Sequence, residues 1–238
     1  QNDISGVISL AGMTASGIET SVFQNQINWK AMHLDSGLIS GLSDLHREMI
    51  HLGFLTLRSN DPTVEPTQNE SSHENNVRTA QFETGLKTYL KEHKNDKNLQ
   101  RAYKFQINQT KQAAKNTDSE SPVHFLAQTY IGLAANPWTG YFLESEPELE
   151  FVELKNCDIL MLQGAADQQI DASATRKLVA KMNESGVGVT YQEFPGLNHL
   201  FQHCTSCDVS EYFNLEETIA MEAMSVVGKW LTERSQLR

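Results

Sequence analysis

Long apolar runs are missing from this sequence of 238 residues. No run approaches the roughly 18 residues that a membrane-spanning helix needs. The opening stretch "QNDISGVISLAG" lacks the basic region that begins a signal peptide, and it also lacks an initiator Met. We therefore expect a processed or trimmed chain that has no membrane as a partner.

Basic residues and cysteines are also scarce. Lys and Arg number 19 against 30 Asp and Glu, which gives a formal net charge of -11. This charge disfavours nucleic acid and anionic membrane surfaces as partners, because phosphate groups attract basic patches. Three cysteines, Cys157, Cys204 and Cys207, are too few for a disulfide framework. Composition leaves the compartment, whether cytoplasmic, periplasmic or secreted, open.

Three apolar segments predict β-strands. They are "GVISLAG" at residues 6–12, "CDILMLQG" at residues 157–164 and "VGVTYQEFPG" at residues 187–196. A helix is predicted between the last two, with Asp171 as its N-cap and Gly186 as its C-terminal stop. An amphipathic helix, "LEETIAMEAMSVVGKWLTER", is predicted to close the chain. Strands that alternate with helices indicate an α/β fold with a parallel sheet.

Residues 17–147 have a different character and predict a helical insertion. Apolar residues recur there at helical spacing in several segments: "SVFQNQINWKAMH", "LISGLSDLHREMIHLGFLTL", "VRTAQFETGLKTYLKEH", "NLQRAYKFQINQTKQAAK" and "VHFLAQTYIGLAA". The polar stretch at residues 59–76 carries two prolines, so we predict a loop between helices there.

Two loops stand where α/β proteins place their functional residues, just beyond the carboxyl ends of strands. "GAADQQID" follows the second predicted strand and offers Asp167, and "PGLNHLF" follows the third and offers His199. A carboxylate beside a histidine fixes the imidazole tautomer and stabilises its protonated form. The pattern therefore indicates an acid–base pair, with a solvated Asp and a capping or core His as the alternative.

Several stretches resemble the bacterial serine hydrolases related to dipeptidyl aminopeptidases and acyl-peptidases, a branch of the α/β-hydrolase superfamily. The most specific is "PGLNHLFQ", which resembles the histidine loop of that branch. "LQGAADQQID" resembles its acid loop, and "VISLAGMTASG" resembles the strand and loop after its nucleophile helix. "NPWTGYFLESEP" resembles the return from its cap, and "SEYFNLEETIAMEAM" the approach to its last helix.

This resemblance implies a division into domains and a set of roles. Residues 1–16 and 148–238 would form the C-terminal part of the hydrolase sheet, and residues 17–147 a large helical cap. Asp167 would be the triad acid and His199 the general base of a serine hydrolase. The enzyme would cleave an ester or amide bond in a small-molecule ester or peptide-like substrate. The resemblance implies no cofactor and no metal.

The nucleophile of such an enzyme has no counterpart in the sequence. The family needs a serine in a G-x-S-x-G turn, and no such motif occurs here. We therefore expect the chain to begin downstream of the serine, with the last three strands and the cap, and to be inactive alone. Ser16 and Ser40 are the alternative nucleophiles. With the preceding strands of the sheet missing, the first strand here would have an exposed edge, and a homo-oligomer could form through that edge.

Four residues with metal-binding side chains follow one another closely: His199, His203, Cys204 and Cys207. Zinc sites usually take their ligand pairs from separated segments, so we expect reduced thiols that bind no metal, or a Cys204–Cys207 disulfide in an oxidising compartment. We expect His203 to lie near the site or at the surface. Two alternatives to the hydrolase stay open: a non-catalytic, hydrolase-like binding or interaction protein, and a metal-binding module around the two cysteines.

Overall fold

The structure, a computed structural model, describes residues 6–58, 72–115, 117 and 121–236. They form two compact units, one from the described residues of Gln1–Gln24 and Ser145–Arg238 and one from those of Asn25–Glu144. The elements, in chain order, are β1 (Gly6–Leu10), α1 (Gly17–Ala31), α2 (Ser36–Arg58), α3 (Ser72–Glu92), α4 (Lys97–Ala114), α5 (Pro122–Ala135), α6 (Pro137–Glu144), α7 (Pro147–Phe151), β2 (Asp158–Gly164), α8 (Ala172–Glu184), β3 (Val189–Phe194), a 3₁₀ helix (Val209–Asn214) and α9 (Met221–Ser235).

The first unit contains a parallel sheet with the strand order β1-β2-β3. Leu10 of β1 pairs with Leu162 of β2, and Gly164 at the end of β2 pairs with Phe194 at the end of β3. The prediction of three adjacent parallel strands is thereby confirmed. All three strands end at the same edge of the sheet, so the loops that follow them start side by side.

The central strand β2 is covered on both faces. Leu160 and Leu162 pack with Trp230 of α9 in one buried cluster. Ile159 and Met161 point to the opposite face, where they pack in a second cluster with Leu178 and Met182 of α8. A strand buried on both sides has no polar face, which explains its nearly uninterrupted apolar run. The prediction of an α/β fold with a parallel sheet is confirmed.

Helix α8 begins and ends where its capping residues predict. The Asp171 side chain accepts a hydrogen bond from the backbone N–H of Ser173, which occupies one of the unpaired donors of the first turn. Gly186 follows the last turn with a φ of +79°, in the left-handed region that a side chain disfavours. Both predictions are confirmed.

Helix α9 starts later than predicted. The sequence predicts helix from residue 215, whereas α9 begins at Met221. The preceding segment bonds to the loop after β3 instead: the N–H of Ala220 donates to the carbonyl of Phe201, and the Gln202 side chain donates to the carbonyl of Glu217. These bonds replace the helical ones, so the prediction is wrong for residues 215–220.

The second unit is helical, as the periodicity of residues 17–147 predicts. α2 packs against α3, α4 and α5 and buries one apolar stripe, which includes Leu42, Leu45 and Met49. Of the loop predicted at residues 59–76, residues 59–71 lie outside the described residues. From residue 72 that prediction is wrong, because α3 begins there. Within the described part of the chain, no helix is long and apolar enough to span a bilayer.

A histidine on α2 is enclosed within the helical unit. His46 Nδ1 lies 2.7 Å from the Tyr130 hydroxyl, and His46 Nε2 lies 3.4 Å from the Asn25 side-chain amide. Trp29 packs edge-on against the imidazole ring. Burial, reinforced by the charge of Arg47, lowers the pKa of His46 to about 4. His46 is therefore neutral in the folded protein at neutral pH.

We expect this histidine to destabilise the protein in mild acid. In the unfolded chain the histidine takes up its proton near pH 6.5, whereas in the folded chain it does so near pH 4. Between these pH values the unfolded chain binds a proton that the folded chain does not, which favours unfolding. The cost reaches up to about 3 kcal/mol at the acid end. His46→Gln should lose this pH dependence in urea unfolding followed by circular dichroism. His51→Gln, at an exposed position of the same helix, should retain it. Equal pH dependence in both variants would contradict the assignment.

Candidate acid–base site

The loops after β2 and β3 are joined by backbone contacts. The N–H of Ala165 donates to the carbonyl of Phe194 (2.9 Å), and that of Ala166 donates to the carbonyl of Leu197 (3.0 Å). Gly164 lets the two loops approach so closely, because a Cβ there would lie 2.4 Å from the carbonyl oxygen of Asn198. The acid and histidine loops are thus held against each other by the backbone itself.

Asp167 lies in the first of these loops, and its side chain is 0% exposed. Its Oδ1 accepts hydrogen bonds from the backbone N–H groups of Gln169 (2.7 Å) and Ile170 (2.9 Å). Its Oδ2 lies 2.9 Å from Gln163 Nε2 and 2.9 Å from His199 Nδ1. Four donors therefore surround this buried carboxylate, which is the condition under which a buried charge is tolerated.

His199 is positioned by its neighbour in the second loop. The buried Asn198 side chain accepts hydrogen bonds from the backbone N–H groups of Leu200 (2.9 Å) and Gln202 (3.0 Å), which closes a tight turn. Phe201 takes a φ of +59° in this turn. The turn directs the imidazole of His199 towards Asp167 while 25% of the histidine side chain stays exposed.

The hydrogen bonds assign the tautomer of His199. An ionised Asp167 can only accept, so Nδ1 of His199 carries the proton of their 2.9 Å contact. Among residues 6–58, 72–115, 117 and 121–236, no hydrogen bond or ion pair engages the opposite nitrogen, Nε2. Neutral His199 thus has a free lone pair at Nε2 and can accept a proton from a group that approaches it.

The structure therefore brings together the two residues that the sequence predicts as an acid–base pair. Their positions follow from the strand-end rule, since β2 and β3 are neighbours with the same direction. Their roles as triad acid and general base stay predictions.

The residues behind Asp167 were not predicted from the sequence. Gln163 is 1% exposed, and its Oε1 accepts a hydrogen bond from the Thr175 hydroxyl (3.2 Å). The Thr175 hydroxyl in turn lies 2.9 Å from that of Thr14, in the loop after β1. One sequence feature points to this arrangement: Gln163 is a polar residue inside the otherwise apolar run "ILMLQG".

Cys204 and Cys207 form a disulfide bond, which was the alternative to the default expectation of reduced thiols. The intervening turn brings their Cα atoms to 4.9 Å, within the range that a disulfide spans. The Glu211 carboxylate accepts from the backbone N–H groups of the loop at residues 205–207. These bonds, that from Thr205 foremost, lower the pKa of Glu211. Because the sulfurs of Cys204 and Cys207 are bonded to each other, neither residue offers a free thiol.

His203 lies at the surface, with 61% of its side chain exposed. Its Nδ1 lies 2.9 Å from Glu217 and its Nε2 lies 3.2 Å from Glu222. These carboxylates, with the hydrogen bond to Glu217 as the main cause, raise the pKa of His203. In the part of the chain that the structure describes, no group of three or more His, Cys, Asp or Glu side chains is arranged to hold a metal ion.

Neither alternative nucleophile stands on a sharp turn that leads directly from a strand into a helix, since six residues, 11–16, separate β1 from α1. Ser16 precedes α1, where its Oγ accepts from the backbone N–H of Glu19. Ser40 lies within α2, in the helical unit. A strained strand-to-helix turn is what exposes the nucleophile of an α/β-hydrolase.

The chain was compared with protein families, curated proteins and solved structures. No protein-family model, curated protein or solved structure showed a significant match to the chain. The hydrolase hypothesis therefore depends on the quoted motifs and on the geometry of Asp167 and His199.

Proposed function

We propose that this chain is the C-terminal portion of a serine hydrolase of the α/β-hydrolase type, with residues 17–147 as a helical cap. The observation that carries the proposal is the buried Asp167 carboxylate bonded to Nδ1 of a half-buried His199, at the carboxyl edge of a parallel sheet. Open α/β sheets bind their ligands at this edge.

The proposed reaction is acyl transfer from an ester or amide. A serine Oγ attacks the substrate carbonyl while His199 Nε2 takes the serine proton, and Asp167 stabilises the imidazolium that forms. His199 then returns the proton to the leaving alcohol or amine. Water, activated by the same nitrogen, hydrolyses the acyl-enzyme and restores the serine. This chemistry needs no metal or other cofactor.

The proposal requires a nucleophile from outside the 238 residues, since they contain no G-x-S-x-G motif. β1 is an edge strand of the described sheet, and its free side can accept a further strand. We place the strand and turn that carry the serine on that side. Backbone N–H groups next to the serine would then supply the oxyanion hole.

The disulfide bears on two other aspects of the proposal. Disulfides persist in oxidising compartments, which favours a periplasmic or secreted location over the cytoplasm. It also engages the thiols that a metal-binding module around Cys204 and Cys207 would need, so the hydrolase is favoured over that module. The proposed substrates stay small-molecule esters or peptide-like compounds, because nothing in the acid–base pair discriminates between them.

A fluorophosphonate probe, which labels activated serines, tests the proposal. The 238-residue chain should stay unlabelled, because a histidine and an aspartate cannot form an acyl-enzyme alone. A longer chain that includes the preceding coding sequence should be labelled stoichiometrically at one serine upstream of Gln1. Mass spectrometry of the labelled peptide locates that serine.

Two results would contradict the assignment. Stoichiometric labelling of the 238-residue chain at Ser16 or Ser40 would place the nucleophile within it. A longer chain that folds but takes no label would instead favour a non-catalytic, hydrolase-like binding protein.

A further inference from the structure

A series of buried hydrogen bonds leads from Asp167 away from His199. Gln163 Nε2 donates to Asp167 Oδ2 (2.9 Å), and Thr175 Oγ1 lies 3.2 Å from Gln163 Oε1. Thr14 Oγ1 lies 2.9 Å from Thr175 Oγ1. Gln163, Thr175 and Thr14 are all at most 3% exposed. The series therefore links the loop after β1, the first turn of α8 and the end of β2.

Asp167, at one end of this series, determines which atom is the donor and which the acceptor in every bond. Asp167 is an acceptor, so the Gln163 amide must present its NH₂ group to it and its oxygen to Thr175. That NH₂ group also faces the carbonyl oxygens of Gly164 (3.3 Å) and Ile170 (3.4 Å), which are acceptors too. A reversed amide would set oxygen against oxygen in each of these contacts.

The orientation of the hydroxyl groups follows from that of the amide. The Thr175 proton faces two acceptors, Gln163 Oε1 (3.2 Å) and the carbonyl oxygen of Asp171 (3.4 Å), so the proton between Thr175 and Thr14 comes from Thr14. All protons in the series thus point towards the carboxylate of Asp167. Aligned buried hydrogen bonds polarise one another and resist rearrangement more than isolated ones do.

We propose that Gln163 is a positioning residue, which holds Oδ2 of Asp167 against Nδ1 of His199 and is itself oriented by Thr175. The catalytic meaning of this role rests on the proposed hydrolase function, whereas the role itself concerns the acid–base pair alone. Gln163 and His199 share one carboxylate oxygen, Oδ2, and loss of the Gln163 bond leaves the carboxylate held by the bonds of Oδ1 to the backbone N–H groups of Gln169 and Ile170. The partner of the Nδ1–H form of His199 is then held less firmly.

Nitrogen-15 NMR of the histidine rings in the 238-residue chain tests this role. The two neutral tautomers give different ring-nitrogen shifts, and wild-type His199 should be held in the Nδ1–H form. In Gln163→Met, which keeps the side-chain length but lacks the donor, we expect the Nδ1–H proton to exchange with solvent about tenfold faster or more. The share of the Nε2–H tautomer should rise with it. Thr175→Val should change both quantities in the same direction and by less.

A matched control separates positioning from stability. Thr110→Val removes the hydroxyl of another buried threonine, which donates to the carbonyl of Gln106 in the helical unit. It should lower stability without altering the His199 signals. If Gln163→Met and Thr175→Val also leave the signals of His199 unchanged, the positioning role is overturned. Should Gln163→Met not fold, Thr175→Val decides by the same criterion.

The result is independent of the test of the hydrolase function. Altered His199 signals together with a longer chain that takes no fluorophosphonate would support the positioning role and end the hydrolase proposal. Unaltered signals together with a labelled longer chain would overturn the role and leave the hydrolase proposal standing.

Discussion

In the proposed hydrolase, His199→Ala should abolish nearly all acyl transfer by the longer chain that would carry the serine. We expect kcat/KM for an activated ester to fall roughly a thousandfold or more, because the members of a triad act as a unit. The proposed mechanism gives the reason: His199 Nδ1 is engaged by Asp167, which leaves Nε2 as the nitrogen that would accept the proton of the proposed serine. Without an imidazole at this position, the serine keeps its proton and attacks slowly. Initial rates on an activated ester measure the effect.

The matched control is His203→Ala, since His203 lies four residues further along the same loop. Its side chain is mostly exposed and is bonded to Glu217 and Glu222 rather than to Asp167. We expect less than about a twofold change in rate, as for a surface residue away from the chemistry. If the two variants lose activity equally, the loop as a whole matters and the assignment of His199 as the base fails.

Asp167→Ala should destabilise the 238-residue chain strongly, whether or not a serine is present. The substitution removes the acceptor of two backbone N–H groups, of the Gln163 amide and of His199. Each buried donor left without a partner costs about 1–3 kcal/mol. We therefore expect the free energy of unfolding to fall by about 3 kcal/mol or more, measured by urea unfolding followed by circular dichroism.

Asp158→Ala provides the comparison for an exposed carboxylate at the start of the strand that leads into the loop of Asp167. Asp158 begins β2 and forms an ion pair with Arg234, 3.1 Å away, with 53% of its side chain exposed. Exposed ion pairs contribute about 1 kcal/mol or less. If Asp167→Ala costs no more than Asp158→Ala, the four hydrogen bonds do not hold the acid loop as the structure indicates.

Local patterns were sufficient to predict the elements that local interactions determine. An apolar run that ends in Gly164 predicts β2, and the capping side chain of Asp171 with Gly186 as the stop predicts the ends of α8. The proximity of Asp167 and His199 was also predictable, because neighbouring parallel strands bring their following loops together.

Other features depend on partners that are distant in sequence. The start of α9 could not be predicted, because the bonds of residues 217 and 220 to the loop after β3 exist only in the folded chain. The disulfide, by contrast, joins residues only three apart, and the sequence left it as one of two alternatives because it depends on a turn in which Cys207 takes a φ of +60°. Gln163 stands out in the sequence as a polar residue in a strand, but the sequence does not show which carboxylate it faces.

The backbone bonds between the acid and histidine loops affect how an enzyme of this kind could be assembled. The backbone bonds of Ala165 and Ala166 hold one loop against the other, and the hydrogen bond between Asp167 and His199 sets the tautomer of His199 without a serine. Docking of one further strand and its turn would then complete the triad. Covalent continuity is not needed for such docking. An N-terminal fragment expressed as a separate polypeptide could therefore restore activity by complementation, in the manner of a split enzyme.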